Sequence, residues 1–237
     1  TKLRALFSLH DISSVVEFAA DLHIMGWEIV CTKETYSVLK EAKIPTTSIE
    51  AFTGISENYN IPPTLHPKIE HALTGNDPAS RIDLVFDIPY PLTVGSDIGG
   101  LTLLAFAMKG KKIPVLTNAD MSEVVKELKE RGEISDKLRE AFISKANVFI
   151  AQYYIQMLQK IENRGHGLLG TPALKLSGGE NPYQTPCQLF NFPGNKDPLA
   201  LSRFKQLSGV EPCFTNLADL DSISHTLCIA SEAFNKN

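Results

Sequence analysis

The residues best able to do chemistry lie in one stretch, Ser96 to Gly110, SDIGGLTLLAFAMKG. Asp97 and the glycine pair Gly99-Gly100 stand before an apolar, helix-compatible run that ends in Lys109. A carboxylate at the mouth of a helix can take up a proton, and an ammonium can give one or steady a developing anion. Gly99 and Gly100 let the backbone turn tightly and come close to a ligand. Leu101, Leu104, Ala105 and Met108 share one helical face, so this helix is expected to be buried. Lys109 follows about three turns along, on a flank that points either back to the mouth or out to solvent. The plainer alternative is an ordinary loop and buried helix with a solvated lysine.

The elements that must position these residues can be taken in order. Leu3 to Leu9 reads as a buried strand. Ser14 and Glu17 have capping-box spacing before a helix with Val15, Phe18, Ala19 and Leu22 on one face. Gly26 ends it. Trp27 to Thr32 is a second strand, Glu34 to Ala42 a second helix, and Pro45 to Ile49 a short third strand. Glu50 to Pro63, with Gly54, Asn58, Asn60, Pro62 and Pro63, reads as a long surface loop. A short helix over His66 to Leu73 and a strand over Ile82 to Ile88 follow, the latter closed by Pro89 and Pro91. Beyond the Asp97 helix come a strand, Ile113 to Thr117, and helices from Asp120 to Glu130 and from Ser135 to Glu162. On the last, Leu138, Phe142, Ala146, Phe149, Tyr153 and Met157 form a stripe suited to a core or a dimer face. From Asn163 to Pro198 the chain is rich in Gly, Pro and Asn and reads as a linker with one embedded strand, Cys187 to Phe190. Leu217 to Phe234 is a last amphipathic helix. The alternation of strand and helix predicts an α/β fold, a three-layer parallel sheet of Rossmann type, with a C-terminal α/β extension.

Ligands of such sheets sit at the carboxyl ends of the strands, where helix N-termini point. Four edges qualify: Ser8 to Ser13, Thr32 to Thr35, Pro89 to Pro91, and Asp97 to Gly100. Hydroxyls, free N–H groups and a helix dipole suit a phosphate. Lys33 adds charge to the second edge and Glu34 opposes it. The alternative makes Ser13, Thr32 and Thr35 simple N-caps.

Composition narrows the partners. The 237 residues are 43% apolar and 21% charged, enough for an ordinary globular core. A net charge of −4 and a pI near 5.9 argue against nucleic acid or an anionic membrane as main partner. No apolar run approaches the ~20 residues needed to span a bilayer. Neither the widely spaced cysteines (Cys31, Cys187, Cys213, Cys228) nor the six histidines form a ligand pattern, so no metal is expected. Reduced thiols and a cytoplasmic location are expected instead.

Several segments together carry a family resemblance. LFSLHDISSVVEFA, FTGISENYNIPPTLHPKIEHAL, Tyr90-Pro91, DIGGLTLLAFAMK, ENPYQTPCQLF and FTNLADLDS resemble, in order and spacing, signatures of the bifunctional purine-biosynthesis enzyme that combines AICAR formyltransferase with IMP cyclohydrolase. The likeness centres on its N-terminal cyclohydrolase domain, which has the methylglyoxal-synthase-like fold. It implies such a domain over residues 1–162, and a linker with the truncated start of a formyltransferase-like domain over 163–237. It implies a pocket for a purine ribonucleotide monophosphate, closure of formyl-AICAR to IMP, no cofactor, and a homodimer. It places catalytic roles on Asp97, Lys109 and Tyr90. Substrate contacts fall on Ser8, Ser13, Thr32, Thr35, Thr64, Ile98, Gly99 and Gly100. The chain also departs from the pattern. Pro63 replaces the lysine of K-T-L-H-P, the phosphate turn loses its lysine at Ile12, and S-G-G-T becomes Thr32-Lys33-Glu34-Thr35. Lys33, Lys68 and His10 are candidates to restore the lost charge. The R-Y-G of the formyltransferase half reads Ser177-Gly178-Gly179, which argues against formyl transfer. An inactive paralogue that binds a nucleotide or other phosphorylated anion, or a dimerising or regulatory module, are the alternatives.

Overall fold

The computed structural model describes residues 2–56, 61–160, 167–192 and 195–234. Backbone contacts divide the chain into two units, Thr1–Asn163 and Arg164–Asn237. The expected boundary at residues 162 and 163, Asn58 and Asn60 of the long loop, and the expected helix end at Glu162 lie outside the described residues.

The first unit is built on five parallel strands: β1 Arg4–Leu9, β2 Glu28–Cys31, β3 Thr47–Ser48, β4 Leu84–Ile88 and β5 Ile113–Val115. Their spatial order is β3-β2-β1-β4-β5. The chain therefore winds outward from β1 in one direction, returns, and winds outward from β4 in the other. The reversal falls between β1 and β4, where Ser8 faces Asp87 and Leu9 faces Ile88. Pro114 is tolerated in β5 because that strand is an edge.

Alternation along the strands fills two layers of core. On one face Ala5, Phe7 and Leu9 pack with Phe86 against α1 (Val15–Ile24), α2 (Lys33–Glu41) and α6 (Asn118–Arg131). On the other, Leu6, Val30 and Val85 pack against α3 (Ile49–Thr53), α4 (Pro67–Thr74), α5 (Ile98–Lys109) and α7 (Asp136–Gln159). Burying both faces explains why the strands read as continuous apolar runs.

Local details depart from expectation. Ser14 occupies the N-cap of α1, but its side chain makes no cap bond. The loop after β3 contains α3, capped by Ser48 and ended by Gly54 in the left-handed region. Five residues are too few to show a helical period. In α5 the buried side is Leu101, Leu103, Leu104 and Ala107, whereas Ala105 is exposed. On α7, Phe142, Ala146 and Tyr153 are buried within the unit.

The second unit holds a two-stranded antiparallel ribbon, β6 (Thr171–Leu176) with β7 (Cys187–Asn191), and α8 (Phe214–Phe234). The expected linker thus contains a second strand. Pro172 and a mostly exposed TPALKL hid it from pattern reading. No helix among the described residues is long and apolar enough to cross a membrane.

Candidate functional site

A cavity of about 880 Å³ opens at the carboxyl ends of β1, β2 and β4, beside the strand-order reversal. That crevice is where open α/β sheets bind ligands, because the reversal parts the loops and leaves helix N-termini facing the gap. All four edges picked out in the sequence contribute to it. Ser8, Leu9, His10 and Ile12 come from the first, Thr32 to Glu34 from the second, and Tyr90 from the third. Asp97 to Gly100 come from the fourth, and Pro62 to Leu65 line it beside the first turn of α5.

Asp97 is the N-cap of α5. Its Oδ1 accepts the Gly100 N–H at 2.8 Å, and its Oδ2 accepts the Tyr90 N–H at 3.1 Å. Capping thus ties the helix start to the loop after β4. The Asp97 N–H donates to the Tyr153 hydroxyl at 3.0 Å. That hydroxyl in turn lies 3.3 Å from the carbonyls of both Tyr90 and Gly95, either of which can accept its hydrogen. Tyr153, a hydroxyl within the apolar stripe of α7, is therefore the post that fixes the Asp97 loop. The Tyr90 phenol donates to the Ser96 carbonyl at 3.3 Å. Partial burial, then the Asp97 carboxylate and the Tyr153 phenol, push it above its ordinary range, which keeps it a hydrogen-bond donor.

The two glycines serve packing more than ligand approach. A Cβ on Gly99 would stand 2.9 Å from Thr64 Oγ1 and 3.1 Å from Pro62 Cβ. One on Gly100 would meet Asp87 Oδ2 at 2.8 Å and Asp97 Oδ1 at 3.0 Å. Their lack of side chains lets the first turn of α5 press against the Pro63–Leu65 turn on one side and two carboxyl groups on the other.

Thr32 is the N-cap of α2, yet its hydroxyl makes no cap bond and lines the cavity. Thr64 is buried in the wall. Thr35 is fully buried and outside the lining; its Oγ1 has no hydrogen-bond partner among the described residues. Ser13 is exposed and outside the lining, its N–H donating to Asp11 Oδ1 at 3.0 Å.

Lys109 is placed elsewhere. It ends α5, twelve residues from the cap, or about 18 Å along the axis at helical rise. Its side chain is 68% exposed and lies 3.7 Å from Glu70. The outward flank is the one realised. Of the three candidates to restore charge, Lys33 and His10 line the cavity; Lys68 does not. With Glu34, Glu50 and Asp97 also lining it, the cavity holds more acid than base.

Sequence reading missed Asp87. It sits in β4, 1% exposed, with Oδ2 lacking a hydrogen-bond partner among the described residues. Burial first, and the Asp97 charge second, push its carboxyl up to about 8, against a hydrogen bond from Ser8. The signal was present: a carboxylate inside the apolar run IDLVFDI.

This sheet order with its crevice at the strand reversal is the architecture of an MGS-like domain, and residues 14–168 match the family model of that description. Residues 110–235 match the AICARFT/IMPCHase bienzyme model, and the chain belongs to that purine-biosynthesis family. Similar curated relatives include the bifunctional purine biosynthesis protein PurH of Lactococcus lactis subsp. cremoris (strain MG1363), 32% identical over 256 residues, covering 92% of this chain and 49% of the relative. The PurH of Neisseria gonorrhoeae (strain ATCC 700825 / FA 1090) is 31% identical over 267 residues, covering 92% and 50%. The chain thus spans about half the length of these relatives. Among solved structures, one described as the crystal structure of ForH aligns with a TM-score of 0.58 at 22% identity, over 68% of this chain and 98% of that one. At that identity the likeness concerns the fold.

Proposed function

We propose that the cavity is an IMP cyclohydrolase-type pocket, which binds a purine ribonucleotide monophosphate and closes formyl-AICAR to IMP with loss of water. The observation that carries this reading is the convergence of the Asp97 carboxylate, the Tyr90 phenol and the α5 N-terminus on one crevice with the Ser8, Thr32 and Thr64 hydroxyls. In this reading the phosphate lies toward Ser8, Thr32 and the N-terminus of α2, whose dipole favours an anion. The base lies against Ile98, Gly99 and Gly100. The carboxamide nitrogen attacks the formyl carbon and its proton passes to Asp97. The oxygen of the tetrahedral adduct is steadied by the Gly99 N–H, which helix geometry leaves without an intrahelical acceptor; it takes back the proton held by Asp97 and a second from the former formamide N–H, and leaves as water as that nitrogen forms the C=N bond. Lys109 has no part, given its place at the far end of α5. Ser13 and Thr35 support the edges without contacting ligand. No cofactor is required.

A second reading is a nucleotide-binding paralogue without turnover. Pro63 in the wall, where the resemblance expects a catalytic lysine, favours it. Thermal shift with XMP, IMP, AICAR and inorganic phosphate tests both, since ligand at a hundred times its Kd adds about 2.7 kcal/mol. A shift with a nucleotide, followed by IMP formation from formyl-AICAR that is lost in Asp97→Asn, is the expected result. A shift without turnover selects the second reading, and no shift with any ligand at millimolar concentration refutes both. A homodimer is expected in either case, to be checked by light scattering.

A further inference from the structure

Asp87 is the polar group that this proposed reaction leaves without a task. It points across the strand pair to Ser8 and lies under the first turn of α5, beside Asp97. Two contacts at one glycine fix the arrangement: the missing Cβ of Gly100 would touch Asp87 Oδ2 at 2.8 Å and Asp97 Oδ1 at 3.0 Å. The two oxygens are therefore within about 6 Å of each other, close enough for the Asp97 charge to oppose ionisation of Asp87. Ser8 lines the cavity, whereas Asp87 lies one layer behind it.

We propose that Asp87 is a positioning residue that couples ligand binding to proton uptake: it carries a proton whenever a phosphate-bearing ligand occupies the cavity beside Ser8. The inference rests on the phosphate-bearing ligand of the proposed function.

The groups facing Asp87 all lead the same way. From β1 comes the Ser8 hydroxyl, and from α5 the Asp97 carboxylate. Tyr90 follows on the next loop, with the His10 ring 6.3 Å from its own. Among the described residues no Lys, Arg or His is paired with Asp87. A ligand dianion arriving next to Ser8 adds negative charge one strand away from this carboxyl. The cavity lining is already richer in carboxylates than in lysine. Ionised Asp87 would be a further buried anion with nothing to offset it, so the bound state holds the proton. A proton moves from solvent to the Asp87 carboxyl only in those molecules where it is ionised before the ligand arrives, and no other bond changes. With the free carboxyl pushed up to about 8, this uptake becomes measurable in mildly alkaline solution.

The test is calorimetric titration of the whole chain with XMP and with AICAR in two buffers of different ionisation enthalpy, at pH 6.5 and pH 8. Above pH 7.5 both phosphates are already dianionic, so the phosphate contributes no proton change. The expected result is uptake of about half a proton per ligand at pH 8 and little at pH 6.5, with affinity falling about tenfold from pH 7 to pH 9. Asp87→Asn, which keeps the shape and cannot ionise, is expected to bind with no uptake at pH 8 and with affinity constant within about twofold. Binding without proton uptake in the natural protein overturns the inference even if the variant fails to fold. Equal uptake in Asp87→Asn also overturns it, assigning the proton to His10, Asp97 or Tyr90. Absence of binding at every pH instead removes the nucleotide reading on which it rests.

Discussion

Replacing Asp87 by Asn should change how folding stability depends on pH, whatever the cavity binds. A carboxyl pushed up to about 8 in the folded chain, against an ordinary value of 3.8, favours its protonated form on folding. The sign follows from linkage: its contribution is fully present below pH 3.8 and is lost as pH rises through 8. Between those values the loss is about 1.4 kcal/mol per pH unit, so the natural protein should lose about 4 kcal/mol at this site between pH 5 and pH 8. Asn loses none of it. Its fixed cost, an amide in place of an acid, is the same at both pH values and cancels in the comparison. The assay is urea unfolding of both proteins at pH 5 and pH 8. The single tryptophan, Trp27, is 5% exposed in the core of the first unit, so its fluorescence reports on the unit that holds Asp87. The stability gap between variant and natural protein should move in favour of the variant by about 4 kcal/mol from pH 5 to pH 8. A gap that moves by less than about 1 kcal/mol would refute the claim that this carboxyl is held neutral by burial.

Other substitutions test the geometry of the site. Gly99→Ala should destabilise by about 1–2 kcal/mol in the same urea assay, because the overlap with Thr64 Oγ1 and Pro62 Cβ outweighs the gain of about 1 kcal/mol that alanine normally brings to a helix. A stabilised variant would mean that the cavity wall yields freely. Tyr153→Phe removes the hydroxyl that accepts from the Asp97 N–H and donates between two carbonyls. It should cost about 1–3 kcal/mol and weaken nucleotide binding in the thermal-shift assay, and unchanged binding would show that the loop holds its shape without it. Lys109→Ala should leave nucleotide affinity unchanged and stability within about 0.5 kcal/mol, since its partner Glu70 is half exposed. A tenfold loss of affinity would return Lys109 to the site and refute the placement described here.

The sequence by itself determined the parts whose causes are local. Strand and helix alternate because hydrophobic period changes along the chain, and that alternation set the three-layer sheet. Asp97 could be placed at a helix mouth because an acidic residue before two glycines and an apolar run is an N-terminal signal in its own right. The same logic held for the four loop edges, which follow from where strands stop. Local signals also failed where the element was short or unsupported by a period, as in α3 and β6. Tertiary structure decided everything that depends on which strands are neighbours. Asp87 and Ser8 are 79 positions apart in number, and only the β1–β4 register sets them face to face. Asp97 and Tyr153 meet because α7 lies along the layer that holds α5. Lys109 shows the converse. The sequence left its flank open and the family resemblance gave it a role beside Asp97, but a regular helix carries residues twelve apart to opposite ends of the sheet. Sequence distance measures length of chain, whereas the chemistry of a site is set by distance through space.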